Sequence, residues 1–152
     1  MMKIIISAVG ASIFFSVPVL AQQLWCWSFT GTGVFAAGTF VTGPSVDAEG
    51  FYPITAITGN ANSATVTALQ PTDTSIPGNS GYPVDNVVRM AAPQLTKHGL
   101  GFVTSDGTYH NAFHVDQYRD YVSRPPYADG KGAEPTIQFK AITTSGSRCP
   151  AQ

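Results

Sequence analysis

Charge is scarce in this chain. Acidic and basic residues together make up 11 % of it, and the formal net charge is −1. The basic residues from Arg89 to Arg148 stand as singles, which reads as a solvated surface. A nucleic-acid-binding protein gathers Lys and Arg to neutralise phosphates; no such cluster exists here, so that class of partner is excluded. A sustained 3.6-residue apolar period is missing after the first 21 residues, so amphipathic helices are not expected. No serine sits in a G-x-S-x-G elbow. The run Asp129–Glu134 has too few oxygens at alternating positions for a calcium loop. There are two cysteines, and neither has a C-x-x-C spacing or a neighbouring histidine, the settings of redox and zinc chemistry.

What the chain has is turn-formers and apolar residues: 15 glycines, 11 prolines and 43 % hydrophobic content. With so little charge, that balance indicates one compact all-β domain. Residues 1–21 stand apart from it. Lys3 supplies a positive start, Ile4 to Leu20 is largely apolar, and Val19-Leu20-Ala21 suits a signal peptidase. Cleavage after Ala21 is expected, leaving 22–152 as the domain. A membrane span would need roughly 20 apolar residues, and Pro18 and Gln22-Gln23 cut this run short. Lipid attachment at Cys26 is disfavoured because bulky Trp25 precedes it. The protein is therefore expected to be exported, either periplasmic or secreted. In an oxidising compartment Cys26 and Cys149 should bridge, which would hold the first and last strands side by side.

The strands are legible in order. Leu24 to Thr30 places Trp25, Trp27 and Phe29 on one face; three aromatics there are most simply core, or a carbohydrate-stacking platform if that face is exposed. Val34 to Thr42 follows, with Gly38 marking a bulge or a close backbone approach. Phe51–Thr58 and Ser63–Leu69 form a central hairpin around a Gly59–Asn62 turn; the second arm alternates, with Ala64, Val66 and Ala68 on one face. Gln70 to Gly81 is an irregular loop, and Pro83 to Met90 an edge strand. Leu95–Ser105 and Thr108–Val115 pair across Asp106-Gly107. Residues 117–122 continue as strand or short helix, 123–135 form a second long loop, and Thr136–Thr144 is the last strand. The expected architecture is a single antiparallel barrel or sandwich of eight or nine strands.

One polar cluster carries possible chemistry: His110, His114 and Asp116. Along a strand, His110 and His114 lie about 13 Å apart, too far to share an ion at roughly 2.1 Å without a bend. His114 and Asp116 share a face and could hold a metal with help from another strand, although a wet strand face is the simpler reading. No cofactor is called for. The leading expectation is a non-enzymatic binding or structural protein outside the inner membrane, with carbohydrate or another small ligand as partner, and with Trp25, Trp27, His110, His114 and Asp116 as candidate contacts. The alternative is a small barrel carrier or enzyme with a polar or metal site around His110, His114 and Asp116.

Four stretches carry a resemblance: Gly38-Thr39-Phe40, GFYPITAITGNANSATVTAL, Tyr82-Pro83-Val84-Asp85-Asn86 and QLTKHGLGFVTSDGTYHNAF. Together they make the domain resemble small exported bacterial β-rich proteins that often carry a PEP-CTERM sorting tail. The resemblance implies an exported β domain associated with the cell surface or its polysaccharide matrix. It implies no reaction and no catalytic residues. The chain departs from the pattern by ending Arg148-Cys-Pro-Ala-Gln, without a Pro-Glu-Pro tail. Free release, or retention in the periplasm, is therefore expected over surface anchoring.

Overall fold

The structure is a computed structural model and describes residues 22–44, 46–115, 119–124, 135–144 and 149. The expected leader, residues 1–21, and Asp116 lie outside the described residues. The described residues form nine strands in order: β1 Gln23–Gly31, β2 Val34–Thr42, β3 Tyr52–Ala61, β4 Ala64–Leu69, β5 Val87–Val88, β6 Leu100–Thr104, β7 Tyr109–Val115, β8 Arg119–Ser123 and β9 Thr136–Thr143. Eight of them close into a barrel in the order β1-β2-β3-β4-β6-β7-β8-β9, with β9 returning to β1, and β5 pairs outside it on the start of β3. Every pairing is antiparallel. No helix among the described residues is long and apolar enough to cross a membrane.

Turn chemistry sets this meander. Gly33 and Gly107 take φ of 69° and 81° at two hairpin tips, and Asn62 takes 51° at a third. Asp106 Oδ1 accepts from Thr108 N at 3.0 Å and from the Thr104 hydroxyl at 2.7 Å, which fixes the Asp-Gly turn. The central hairpin turns later than its glycine suggests. β3 runs through Gly59 and Asn60, and Asn62-Ser63 makes the turn. Gly59 instead sits opposite Gly38 of β2, where a side-chain carbon on Gly38 would overlap the Thr58 carbonyl oxygen. The glycines serve close approach of two strands, as read for Gly38.

Other boundaries move for local reasons. A register shift between Val66 and Ala68 turns Ala68 outward, so the alternation expected through β4 stops after Val66. Of the expected edge strand Pro83–Met90, regular pairing covers Val87–Val88 alone. β6 begins at Leu100; Arg89–Lys97 instead forms a strap between β5 and β6 that seats Leu95 in the core. Residues 119–123 are strand, not helix.

The seam between β8 and β9 is short, with two paired positions. Side chains complete it. The Gln94 carboxamide accepts from Ala141 N at 2.8 Å and donates to Ala141 O at 2.7 Å, the two bonds a strand would make. Asp120 Oδ2 accepts from Phe139 N at 3.3 Å. These bonds satisfy backbone groups that would otherwise be left bare at an edge.

The barrel is filled. Trp25, Trp27, Phe29, Phe40, Leu100 and Phe102 are essentially inaccessible. Trp27 packs on Phe29 and Phe102 with ring centroids 5.9 and 5.5 Å apart, and Trp25 packs on Phe40 at 5.8 Å. Eight strands enclose an interior that side chains can just fill, and large aromatics fill it here. Trp25 Nε1 donates to Thr42 Oγ1 at 3.0 Å, so its polar end is satisfied in place. Outside this wall, Cys26 and Cys149 form the expected disulfide with their Cα atoms 5.4 Å apart. β1 and β9 are neighbours, and Cys26 lies opposite Ile142. Such a bond is characteristic of an oxidising, exported environment.

Candidate functional site

Period two divides the side chains of β7 between two surroundings. His110 and Ala112 are buried in the interior and His114, part-buried, shares their face, while Asn111, Phe113 and Val115 line an outer groove. The expected cluster of His110, His114 and Asp116 is not brought together. His110 is buried, stacked on Phe102 with centroids 4.7 Å apart, and its Nε2 lies 3.4 Å from Thr104 Oγ1. His114 reaches a different partner, Asp120, at 2.9 Å from Nδ1 to Oδ1. Asp120 stands directly opposite His114 in the β7–β8 register. It was invisible in the chain pattern because cross-strand neighbours share no fixed spacing. Asp116 falls outside the described residues. Among the described residues, no group of three His, Cys, Asp or Glu side chains converges as a metal site.

Trp25 and Trp27 must be corrected as ligand contacts. Both are fully enclosed in the core, so neither offers a face for a sugar ring. The condition for a stacking platform, exposure of that strand face, is not met.

Burial has a measurable consequence at His110. Desolvation, and secondarily the Arg124 cation, depress its pKa from 6.5 to about 4, against a smaller pull from Asp106. The folded protein thus keeps a neutral ring where the unfolded chain would be protonated. The stability this confers is complete above pH 6.5 and is lost as pH falls toward 4, by about 3 kcal/mol in all. Urea midpoints at pH 7 and pH 4.5 should therefore separate widely in the native protein and less in His110→Gln. An unchanged separation in the variant would show that carboxylates, not this ring, set the acid limit.

The groove outside β7 has a volume of about 490 Å³. Asn79, Gly81 and Tyr82 form one wall, Lys97 and His98 a second, and Asn111, Phe113 and Val115 the floor. Tyr82 is 62 % exposed, an open aromatic face on a loop. Phe113 is half-buried and stacks on Tyr121 of β8 at 6.0 Å, which holds its ring in place. Asn111 is buried, and its Oδ1 has no hydrogen-bond partner. An amide oxygen in that state seeks a donor.

The loops around the groove are anchored by polar contacts. His98 Nδ1 lies 3.0 Å from the Pro83 carbonyl oxygen, which can only accept; Nδ1 therefore carries a proton, and in the uncharged form of the ring Nε2 is the acceptor. Thr96 Oγ1 donates to Asp85 Oδ2 at 2.6 Å and accepts from His98 N and Gly99 N. Burial raises the pKa of Asp85, with the Thr96 bond and the neighbouring His98 opposing. Asn79 Nδ2 donates to Ser123 Oγ at 3.5 Å, tying the loop to β8.

Two larger depressions, about 930 and 600 Å³, flank the β8–β9 seam, and the second holds the His114–Asp120 pair. Neither is lined by any of the described buried polar atoms that lack a partner, whereas the outer groove is lined by Asn111. The chain reading missed Tyr82, Lys97, His98 and Asn111. The available signal was the outward phase of β7, which places a buried amide between Phe113 and the Asp-Gly turn. Compared with family models, curated proteins and solved structures, the chain matches none.

Proposed function

We propose that this chain is an exported bacterial binding or structural protein of the cell envelope or extracellular matrix, without enzymatic activity, whose ligand is carbohydrate held outside the barrel. The leader and the resemblance support export to that setting. The carrying observation is a filled interior beside an outer groove that pairs an exposed aromatic, Tyr82, with the unpartnered amide oxygen of Asn111. Sugars are recognised by that pairing: an apolar ring face stacks on an aromatic, and hydroxyls meet fixed polar groups. A glycan array probed with the oxidised mature protein should give positive spots, and Tyr82→Ala should weaken them about tenfold. Blank binding by well-folded protein contradicts the proposal.

A second reading places a small-ligand or enzymatic site at His114. It is favoured by one observation: Asp120 engages Nδ1 of the ring at 2.9 Å, and the pair lines the seam depression. Loss of ligand in His114→Ala, with Tyr82→Ala unaffected, would select it.

A further inference from the structure

We infer that the outer groove takes an acidic saccharide, with a sugar ring against Tyr82 and Phe113, its hydroxyls on Asn111 and His98, and its negative group on Lys97. The inference rests on the reading of this groove as the ligand site and narrows the ligand class. Three features carry it. The first is the acceptor pair. Asn111 Oδ1 has no donor, and because His98 donates from Nδ1 to Pro83, the uncharged form of its ring offers Nε2 as a second acceptor. Two acceptors on one groove match a polyhydroxylated ligand, which brings donors, and mismatch a bare anion, which brings none. The second is the aromatic pair. Tyr82 is open to solvent and Phe113 is braced by Tyr121, so a flat apolar face can be met without rearranging the core. The third is charge. In a chain this poor in charge, Lys97 stands exposed on the groove wall and has no ion pair among the described residues. None of the described lining residues is acidic. Asp85 is not among the described lining residues; its Oδ2 accepts from Thr96, and its buried Oδ1 has no partner. A Lys ammonium acts as a flexible point charge, suited to a carboxylate carried at the edge of a ring.

The experiment is calorimetric titration of the oxidised mature protein with a uronic-acid tetrasaccharide and, separately, with a neutral tetrasaccharide of similar linkage. The acidic chain should bind about fivefold more tightly at low salt, the scale of one exposed ion pair. That preference should shrink at 0.5 M salt, as roughly 4–5 Å screening lengths imply. Lys97→Gln, a surface change, should lower the acidic chain to the neutral level while leaving Tm unchanged. Tyr82→Ala should weaken both chains. Equal affinities in the native protein, or a preference that persists in Lys97→Gln, would overturn the acidic assignment while the groove remains a saccharide site. Absence of binding to both chains by protein of native Tm would overturn the groove reading and this inference together.

Discussion

Reduction of the Cys26–Cys149 bond is expected to lower the melting temperature by roughly 10 °C while leaving the far-ultraviolet spectrum of a β barrel. The bond joins residues 123 positions apart, almost the whole domain. Closing so long a loop removes about 4–5 kcal/mol of unfolded-chain entropy in the simplest model, and measured gains are often smaller. The folded state does not depend on the bond for its topology. β1 and β9 share seven register pairs, from Trp25↔Thr143 to Gly31↔Ile137. The reduced chain should therefore fold to the same barrel and leave it sooner on heating. Non-reduced mass spectrometry should show one linked peptide pair. Coincident melting curves for oxidised and reduced protein would contradict the assignment of the bond as the fold's covalent staple.

The second large effect is expected at Gly38. Gly38→Val should destabilise the barrel by more than about 3 kcal/mol, and expression as insoluble protein is an allowed outcome of that loss. A side-chain carbon there would overlap the Thr58 carbonyl oxygen and sit 2.6 Å from Gly59 Cα. Both are backbone atoms, so no side chain can swing aside. Gly59 is the reciprocal case, with φ of 143° and a built carbon 2.8 Å from Gly38 Cα. The pair lies where β2 meets β3, the pairing that closes the barrel. Gly33→Ala is the control. It also has positive φ, but nothing lies within 4 Å of its added carbon, so about 1 kcal/mol is expected. Urea denaturation of the two variants would decide the matter; equal midpoints would remove close strand approach as the reason for the glycine pair.

These cases also show what a one-dimensional reading can reach. The first two strands, the Asp106-Gly107 hairpin, the buried aromatic face of β1 and the disulfide were legible because each rests on local period, turn chemistry or export logic. The central turn falls three residues beyond Gly59, which has the chemistry of a turn residue, and nothing near it in sequence reveals that Gly38 lies opposite. Barrel and sandwich could not be separated because closure depends on β2 meeting β3 and β9 meeting β1, with neither curvature nor register written in a strand's own pattern. The pattern assigns Leu95–Lys97 to the strand that follows, yet these residues belong to the strap, whose Gln94 makes its bonds to Ala141, 47 residues away. In the sequence the histidines carry the strongest signal for a site, because imidazole has the most chemistry per atom. The fold separates them: one goes into the core, another to Asp120. The groove was assembled from a loop tip, a strap end and the outer phase of β7, three segments whose meeting is a product of tertiary structure.

The central claim is that ligand binds on the outside of a filled barrel. It is tested most directly by amide and indole NMR shifts of the oxidised mature protein during titration with the uronic-acid tetrasaccharide. The account predicts shifts that map to Asn79, Tyr82, Lys97, His98, Asn111 and Phe113, with the Trp27 indole signal unmoved. Shifts centred on Trp27, Leu100 and Phe102, with the groove residues silent, would place the ligand inside the barrel and contradict it.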